Sequence, residues 1–207
     1  MIARNLLVAV VLAVASSLAA GASPRPASAQ ESNGLAGARA RLRSAAEAAG
    51  VAYPLAKPSI RVYKSYRVLV LYSGDVPVRA YWAGLGFAPV GHKRREGDGR
   101  TPEGEYYLCS RNDASRFHRF LGISYPAPRD ASTALAEGRI GAVTAARILR
   151  VRPPFRPPWD TPLGGAVGLH GGGAGADWTL GCVAIADAYI DELWVACPSG
   201  TRVTILP

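Results

Sequence analysis

Three cysteines, three histidines and one methionine in 207 residues are a small stock of soft and imidazole ligands. No two histidines stand at H-x-x-x-H spacing, no C-x-x-C occurs, and His92, His118 and His170 lie far apart along the chain. The recurrent metal-ligand spacings are therefore missing, and a metal would need those three histidines to meet in space. Acidic residues are also few, 15 against 24 Lys and Arg, which leaves a formal charge of +9. A basic surface favours a polyanionic neighbour such as nucleic acid, membrane or cell wall. No basic run exceeds Lys93-Arg94-Arg95, so the excess reads mainly as a solvated face. No internal repeat and no long low-complexity tract occurs.

Long apolar runs are lacking as well, apart from Leu6 to Leu18, which is short for a membrane span. Arg4 precedes it and Ala27-Ser28-Ala29 follows as a small-x-small site. That is the pattern of a secretory signal peptide over residues 1–29; an uncleaved anchor is the alternative. No cysteine follows the run, which argues against a lipoprotein. Export to the periplasm or cell envelope makes nucleic acid a poor partner. Arg4 and Arg25 leave with the leader, taking the charge from +9 to +7. The remainder, roughly 180 residues, suits one domain with a sizeable core. An odd number of cysteines in an exported chain leaves one thiol unpaired. Cys109 and Cys197 are compatible with a disulfide or with two buried thiols.

Residues 30–58 read as a helix and linker. Ser32 or Asn33 is a candidate cap, and Leu35, Ala38, Leu42, Ala45, Ala46 and Ala49 recur at helical spacing before Gly50. With Arg39, Arg41 and Arg43 on the opposite side, the expected helix is short and lightly packed, or a partly ordered tether. From Ile60 the period changes. Val62, Tyr66 to Tyr72, the turn Ser73-Gly74-Asp75 and the return from Val76 to Trp82 open a mainly β domain. Glu105 to Cys109 reads as a further strand, residues 130–150 as helical with Asp130 or Ser132 as cap, and the prolines from Pro153 to Pro162 as extended surface chain. Val167 to Leu169 is a strand leading to His170. Asp187 is a candidate N-cap for a helix at about 188–196, and Thr201 to Leu206 closes as a strand.

The stretch Leu169-His170-Gly171-Gly172-Gly173, continuing to Thr179-Leu180-Gly181-Cys182-Val183, places a histidine and a cysteine among glycines. A thiolate is a nucleophile, and a nearby imidazole takes its proton or lowers its pKa. Glycine lets backbone approach a substrate and frees N–H groups for an oxyanion. The other reading is a glycine loop with a structural cysteine, and spacing alone does not decide between them.

His170-Gly171 followed by Thr179-Leu180-Gly181-Cys182-Val183 resembles the signature of the L,D-transpeptidase (YkuD-type) catalytic domain. Gly97-Asp98-Gly99-Arg100-Thr101-Pro102-Glu103-Gly104 is similar to that family's glycine-rich segment. Phe117-His118 and Ile123-Ser124-Tyr125-Pro126 also fit. The resemblance covers residues 59–207 and implies a β-sandwich-like catalytic domain with a few short helices. It implies Cys182 as nucleophile and His170 as base, with the Gly171 carbonyl orienting the imidazole. Thr179 holds the family's Ser/Thr position, and N–H groups near Gly181 and Cys182 take the oxyanion. It also implies peptidoglycan stem peptides as substrate, an amine or an envelope protein as acceptor, a monomer and no cofactor. His118 is expected to be a structural histidine beside the cleft, with a second base as the alternative. Two departures stand out. The family's usual second histidine is Leu180 here, and its usual polar residue two after the cysteine is Ala184. They leave open transfer, hydrolysis by an amidase or carboxypeptidase of the same fold, or a wall-binding module without catalysis.

Overall fold

The computed structural model describes residues 27–207, with side chains from Gly34 onward. The leader's n-region and apolar run lie outside the described residues. The elements in order are α1 (Ala27–Ala48), β1 (Pro58–Tyr63), β2 (Val68–Ser73), β3 (Val76–Trp82), β4 (Gly104–Ser115), β5 (His118–Ile123), α2 (Pro128–Ala136), α3 (Ala142–Leu149), β6 (Gly168–His170), β7 (Val183–Ala184), α4 (Asp187–Ala196) and β8 (Arg202–Leu206). Among the described residues no helix is long and apolar enough to cross a membrane.

The strands make one mainly β sheet in the order β3-β2-β1-β8-β4-β5-β6-β7. β4 is its corner. Gly104 to Tyr107 pair with β8, and the register from Leu108 to Ser115 pairs with β5, with bulges on the way. Bulges bend a strand and increase its twist, so the sheet curls over one core. That core joins Ile60, Leu69, Leu71 and Tyr81 from one half to Leu121, Ile123, Leu169 and Val183 from the other. The chain beyond β3 nearly closes the curl: Gly84 bridges Ala184 and Gly86 bridges Thr179. Closure removes the exposed ladder groups that make sheet edges a liability.

The helices fill the remaining sides. α1 runs through Ser32 and Asn33 instead of starting at them, and it is firmly docked, which corrects the expected light packing. Ala38, Leu42 and Ala46 are fully buried. Arg41 turns inward to the buried Glu192 of α4, which also receives Arg79 Nε at 3.1 Å and Tyr81 Oη at 2.9 Å. A buried carboxylate needs such partners, and here they join α1, β3 and α4. The helical stretch expected over 130–150 is two helices, split at Gly138 and Gly141, with their own small core of Ala131, Ala134, Ile140, Ala145, Ile148 and Leu163. Asp130 sits inside the first turn of α2 and accepts the Ala127 N–H at 2.7 Å. Asp187 is likewise within α4, not before it. All three cysteines are free thiols.

Candidate active site

β6 is a three-residue strand whose last member is His170, paired with Phe120 of β5 and Ala184 of β7. Cys182 immediately precedes β7. The register of these neighbouring parallel strands sets Cys182 level with Gly168, two residues before His170. His170 and Cys182 both line a cleft of about 820 Å³, a size suited to a peptide-like ligand. Its walls include Lys93, Glu96 and Gly97 from the glycine-rich loop, Arg116 and Phe117 from the β4–β5 turn, Gly164 to Val167, and Trp178 to Leu180.

The imidazole is held on three sides. Its Nδ1 lies 2.6 Å from the Gly171 carbonyl oxygen. A carbonyl only accepts, so Nδ1 carries the proton and Nε2 keeps the lone pair. Phe117 stacks on the ring at 4.7 Å between centroids, and Trp178 meets it edge-on at 5.5 Å. Burial pushes the His170 pKa below its ordinary value; the Gly171 hydrogen bond opposes this and Arg116 adds to it. Burial pushes the Cys182 thiol up, opposed by a hydrogen bond with the Gly168 backbone and by Lys93. Both shifts favour the neutral imidazole and the neutral thiol. Sγ lies 3.7 Å from the carbonyl oxygen of Ala166. Ala166 has φ 51°, a backbone uncommon for a residue with a Cβ.

The turn before the cysteine is internally tied. Thr179 Oγ1 donates to the Cys182 carbonyl at 2.8 Å and accepts the Gly181 N–H at 3.1 Å. The Gly181 N–H is therefore occupied and not free for an oxyanion, whereas the Cys182 N–H has no acceptor among the described residues. Gly181 has φ 133°, and a Cβ there would sit 2.6 Å from the Arg100 carbonyl oxygen. Only glycine fits that conformation and that approach.

Two ion-pair systems fix the loops. Arg67 grips Asp177 at 2.8 and 3.1 Å, and Asp177 also accepts the Leu85 N–H, which braces the 171–181 loop. Asp98 is the hub of the glycine-rich loop. It accepts Lys93 Nζ at 2.8 Å and the N–H groups of Arg94, Arg95 and Arg100. Burial pushes its carboxyl up, but these four donors hold it below the usual range. Asp187 accepts the Gly172 N–H at 2.8 Å, so α4 anchors the loop after His170. His118 Nε2 meets Asp191 at 2.8 Å, and His92 accepts the Glu103 N–H and meets Asp130. Each histidine has its own partners, and among the described residues no set of three His, Cys, Asp or Glu could hold a metal. Sequence reasoning noted Phe117 only as part of the family resemblance, and gave no role in the cleft to Lys93, Ala166 or Trp178. Their residue types carry no signal of their own, although Lys93 sits four residues before the glycine-rich segment that starts at Gly97.

The family model of the L,D-transpeptidase catalytic domain (YkuD) matches residues 57–205. The chain belongs to that family. Its domain starts at the β1 boundary and takes in every element of the cleft. The Pgp2 structure agrees in fold. A lysine-to-alanine variant of Pgp2, a helical cell shape determining protein of Campylobacter jejuni, is similar with TM-score 0.52 and 18% identity over 74% of this chain and 48% of that one. Bd1075 of Bdellovibrio bacteriovorus is similar at 0.49 and 18% over 75% and 49%. An L,D-transpeptidase of Xylanimonas cellulosilytica is similar at 0.44 and 18% over 78% and 68%. The chain thus spans about half the length of Pgp2 and Bd1075. No curated protein matches it. L,D-transpeptidases are acyltransferases of peptidoglycan and act outside the cytoplasm.

Proposed function

We propose that this protein is an exported peptidoglycan L,D-transpeptidase that works by cysteine acyl transfer at a D-centre of the stem peptide. The observation that carries the reading is the His170–Gly171 hydrogen bond, which leaves Nε2 as a free base in the cleft that Cys182 also lines. In the first half-reaction Sγ attacks the carbonyl carbon of the diaminopimelate residue while Nε2 takes the thiol proton. The negative charge that develops on the carbonyl oxygen meets the unoccupied Cys182 N–H. His170 then passes its proton to the leaving amine, the C–N bond breaks, and the terminal D-amino acid departs from a thioester. An amine from a second stem, or another acceptor such as an envelope protein, attacks the thioester and restores the thiol. Thr179 keeps the turn rigid through both halves and does not itself face the charge.

A second reading is hydrolysis, by an L,D-carboxypeptidase or amidase of the same fold. It rests on two side chains. Leu180 is 72% exposed at the mouth and Ala184 is fully buried, so neither position offers a group to orient an acceptor. The experiment is incubation of the protein with disaccharide-tetrapeptide, with and without an amine acceptor, read by mass. Cross-linked or amine-capped product identifies the transferase, and tripeptide in both arms identifies the hydrolase. No product in either arm identifies a wall-binding module and rejects both. Cys182→Ala is expected to abolish every product with the fold intact, because it removes a single atom; residual turnover rejects the thiol mechanism.

A further inference from the structure

The cleft contains a buried cation with spare hydrogen-bonding capacity. The Lys93 side chain is 3% exposed, and its Nζ has one protein partner among the described residues, Asp98 Oδ1 at 2.8 Å. An ammonium carries three donors. Lys93 shares the cleft wall with Cys182, and its Nζ lies 3.5 Å from the point where a Cβ on Gly181 would sit. The ammonium therefore rests against the backbone that delivers the sulfur. Asp98 spends its own charge on four donors at once, three of them backbone N–H groups. It fixes Lys93 in place and offsets part of its charge, while the ammonium is the end of the pair that lies in the cleft wall against Gly181. The other charged or titratable groups facing the cleft are Glu96 from the same loop, Arg116 from the β4–β5 turn and His170 from β6. Arg116 is exposed and lies over Phe117, with 4.7 Å from its guanidinium carbon to the ring centroid. Leu180 and Ala184 bring no charge, which leaves Lys93 as the desolvated cation beside the thiol.

We propose that Lys93, anchored by Asp98, is the residue that sets the acidity of the Cys182 thiol, stabilising the thiolate as His170 removes its proton. Coulomb interaction strengthens where water is excluded, and a positive neighbour favours the ionised thiol. The direction agrees with Lys93 opposing the upward push of burial on Cys182. The proposal rests on Cys182 being the nucleophile and explains how this chain does without the family's usual polar groups at 180 and 184.

The test is the rate of Cys182 alkylation by iodoacetamide against pH, mapped by mass in the full-length protein. Mapping separates Cys182 from Cys109 and Cys197, whose thiols burial pushes up to about 12. Lys93→Met is expected to raise the inflection by about one pH unit, which is about a tenfold slower reaction at any pH below it. Lys93→Arg keeps the charge and should stay near wild type. Asp98→Asn removes the counter-charge, so the ammonium acts unopposed and the inflection should fall. Simple disruption of the loop would move Lys93→Met and Asp98→Asn in the same direction. An unmoved inflection in Lys93→Met, or a rise in both variants, overturns the proposal. If melting curves show Lys93→Met unfolded, Asp98→Asn decides alone: a fall supports Lys93, and no change or a rise rejects it. The expected shifts in a protein that leaves disaccharide-tetrapeptide untouched would reject the transpeptidase reading and keep the role of Lys93. Turnover with unmoved inflections would do the reverse.

Discussion

One carbonyl oxygen decides which nitrogen of His170 is basic. With Nδ1 tied to Gly171 at 2.6 Å, the free lone pair belongs to Nε2, and the ring cannot exchange tautomers without losing that bond. Burial lowers the pKa of the ring, so the base form persists to lower pH than for an ordinary histidine. The sign follows directly: a base with a lowered pKa becomes protonated only in more acid solution. The acid limb of kcat/KM should therefore have its inflection below about 6.5, the ordinary histidine value, when turnover is followed from pH 4 to 9. An inflection above that value would show that the imidazole rests as a cation paired with a thiolate. His170→Ala should cost about two orders of magnitude or more in kcat at every pH, since it removes both proton transfers.

At the scale of elements, α1 shows how a weak local pattern becomes a strong contact. Its alanine-rich face suggests little burial, yet Leu42 is fully enclosed, and Arg41 crosses to the buried carboxylate of Glu192, joining Arg79 and Tyr81 there. Leu42→Ala should destabilise the domain by about 2–4 kcal/mol, as for other enclosed leucines, measured by urea unfolding of the intact protein. A loss below about 0.5 kcal/mol, the range of surface substitutions, would mean that α1 is a tether after all. β4 is the second instructive element. Of its twelve residues only Glu105 to Cys109 read as a strand, because the bulged half lacks clean alternation. That half carries the turn that supplies Arg116 and Phe117 to the cleft.

At the scale of the whole molecule, the geometry of the cleft depends on closing the curled sheet. Gly86 lies in the seam, where a Cβ would overlap the Gly99 carbonyl oxygen and crowd the Gly181 Cα at 3.1 Å. The seam thus packs three backbones together: the chain after β3, the glycine-rich loop and the turn before Cys182. Gly86→Ala should cost about 1–3 kcal/mol through overpacking. It should also make Cys182 more accessible to alkylating agents, because the turn must move away. Calorimetry checks the first effect and labelling kinetics the second. Wild-type values for both would show that the seam yields elsewhere.

Much of this protein is legible before any coordinates. The β-rich period from Ile60, the strand into His170, the helix after Asp187 and the last strand follow from local alternation and turn chemistry, which sequence carries directly. The glycines around His170 and Cys182 mark the candidate site because close backbone approach leaves few other residues possible. What tertiary structure alone decided are the contacts between segments remote in the chain. Gly181 loses its N–H to Thr179, Lys93 enters the cleft on the path that Asp98 imposes, and Arg41 finds Glu192. A lysine in a charged loop or an arginine on a helix has the same local signature whether it ends in solvent or in a core. Its destination is set by the closure of the sheet, which brings together residues 84–86, 98–101 and 179–184 and which no local period encodes.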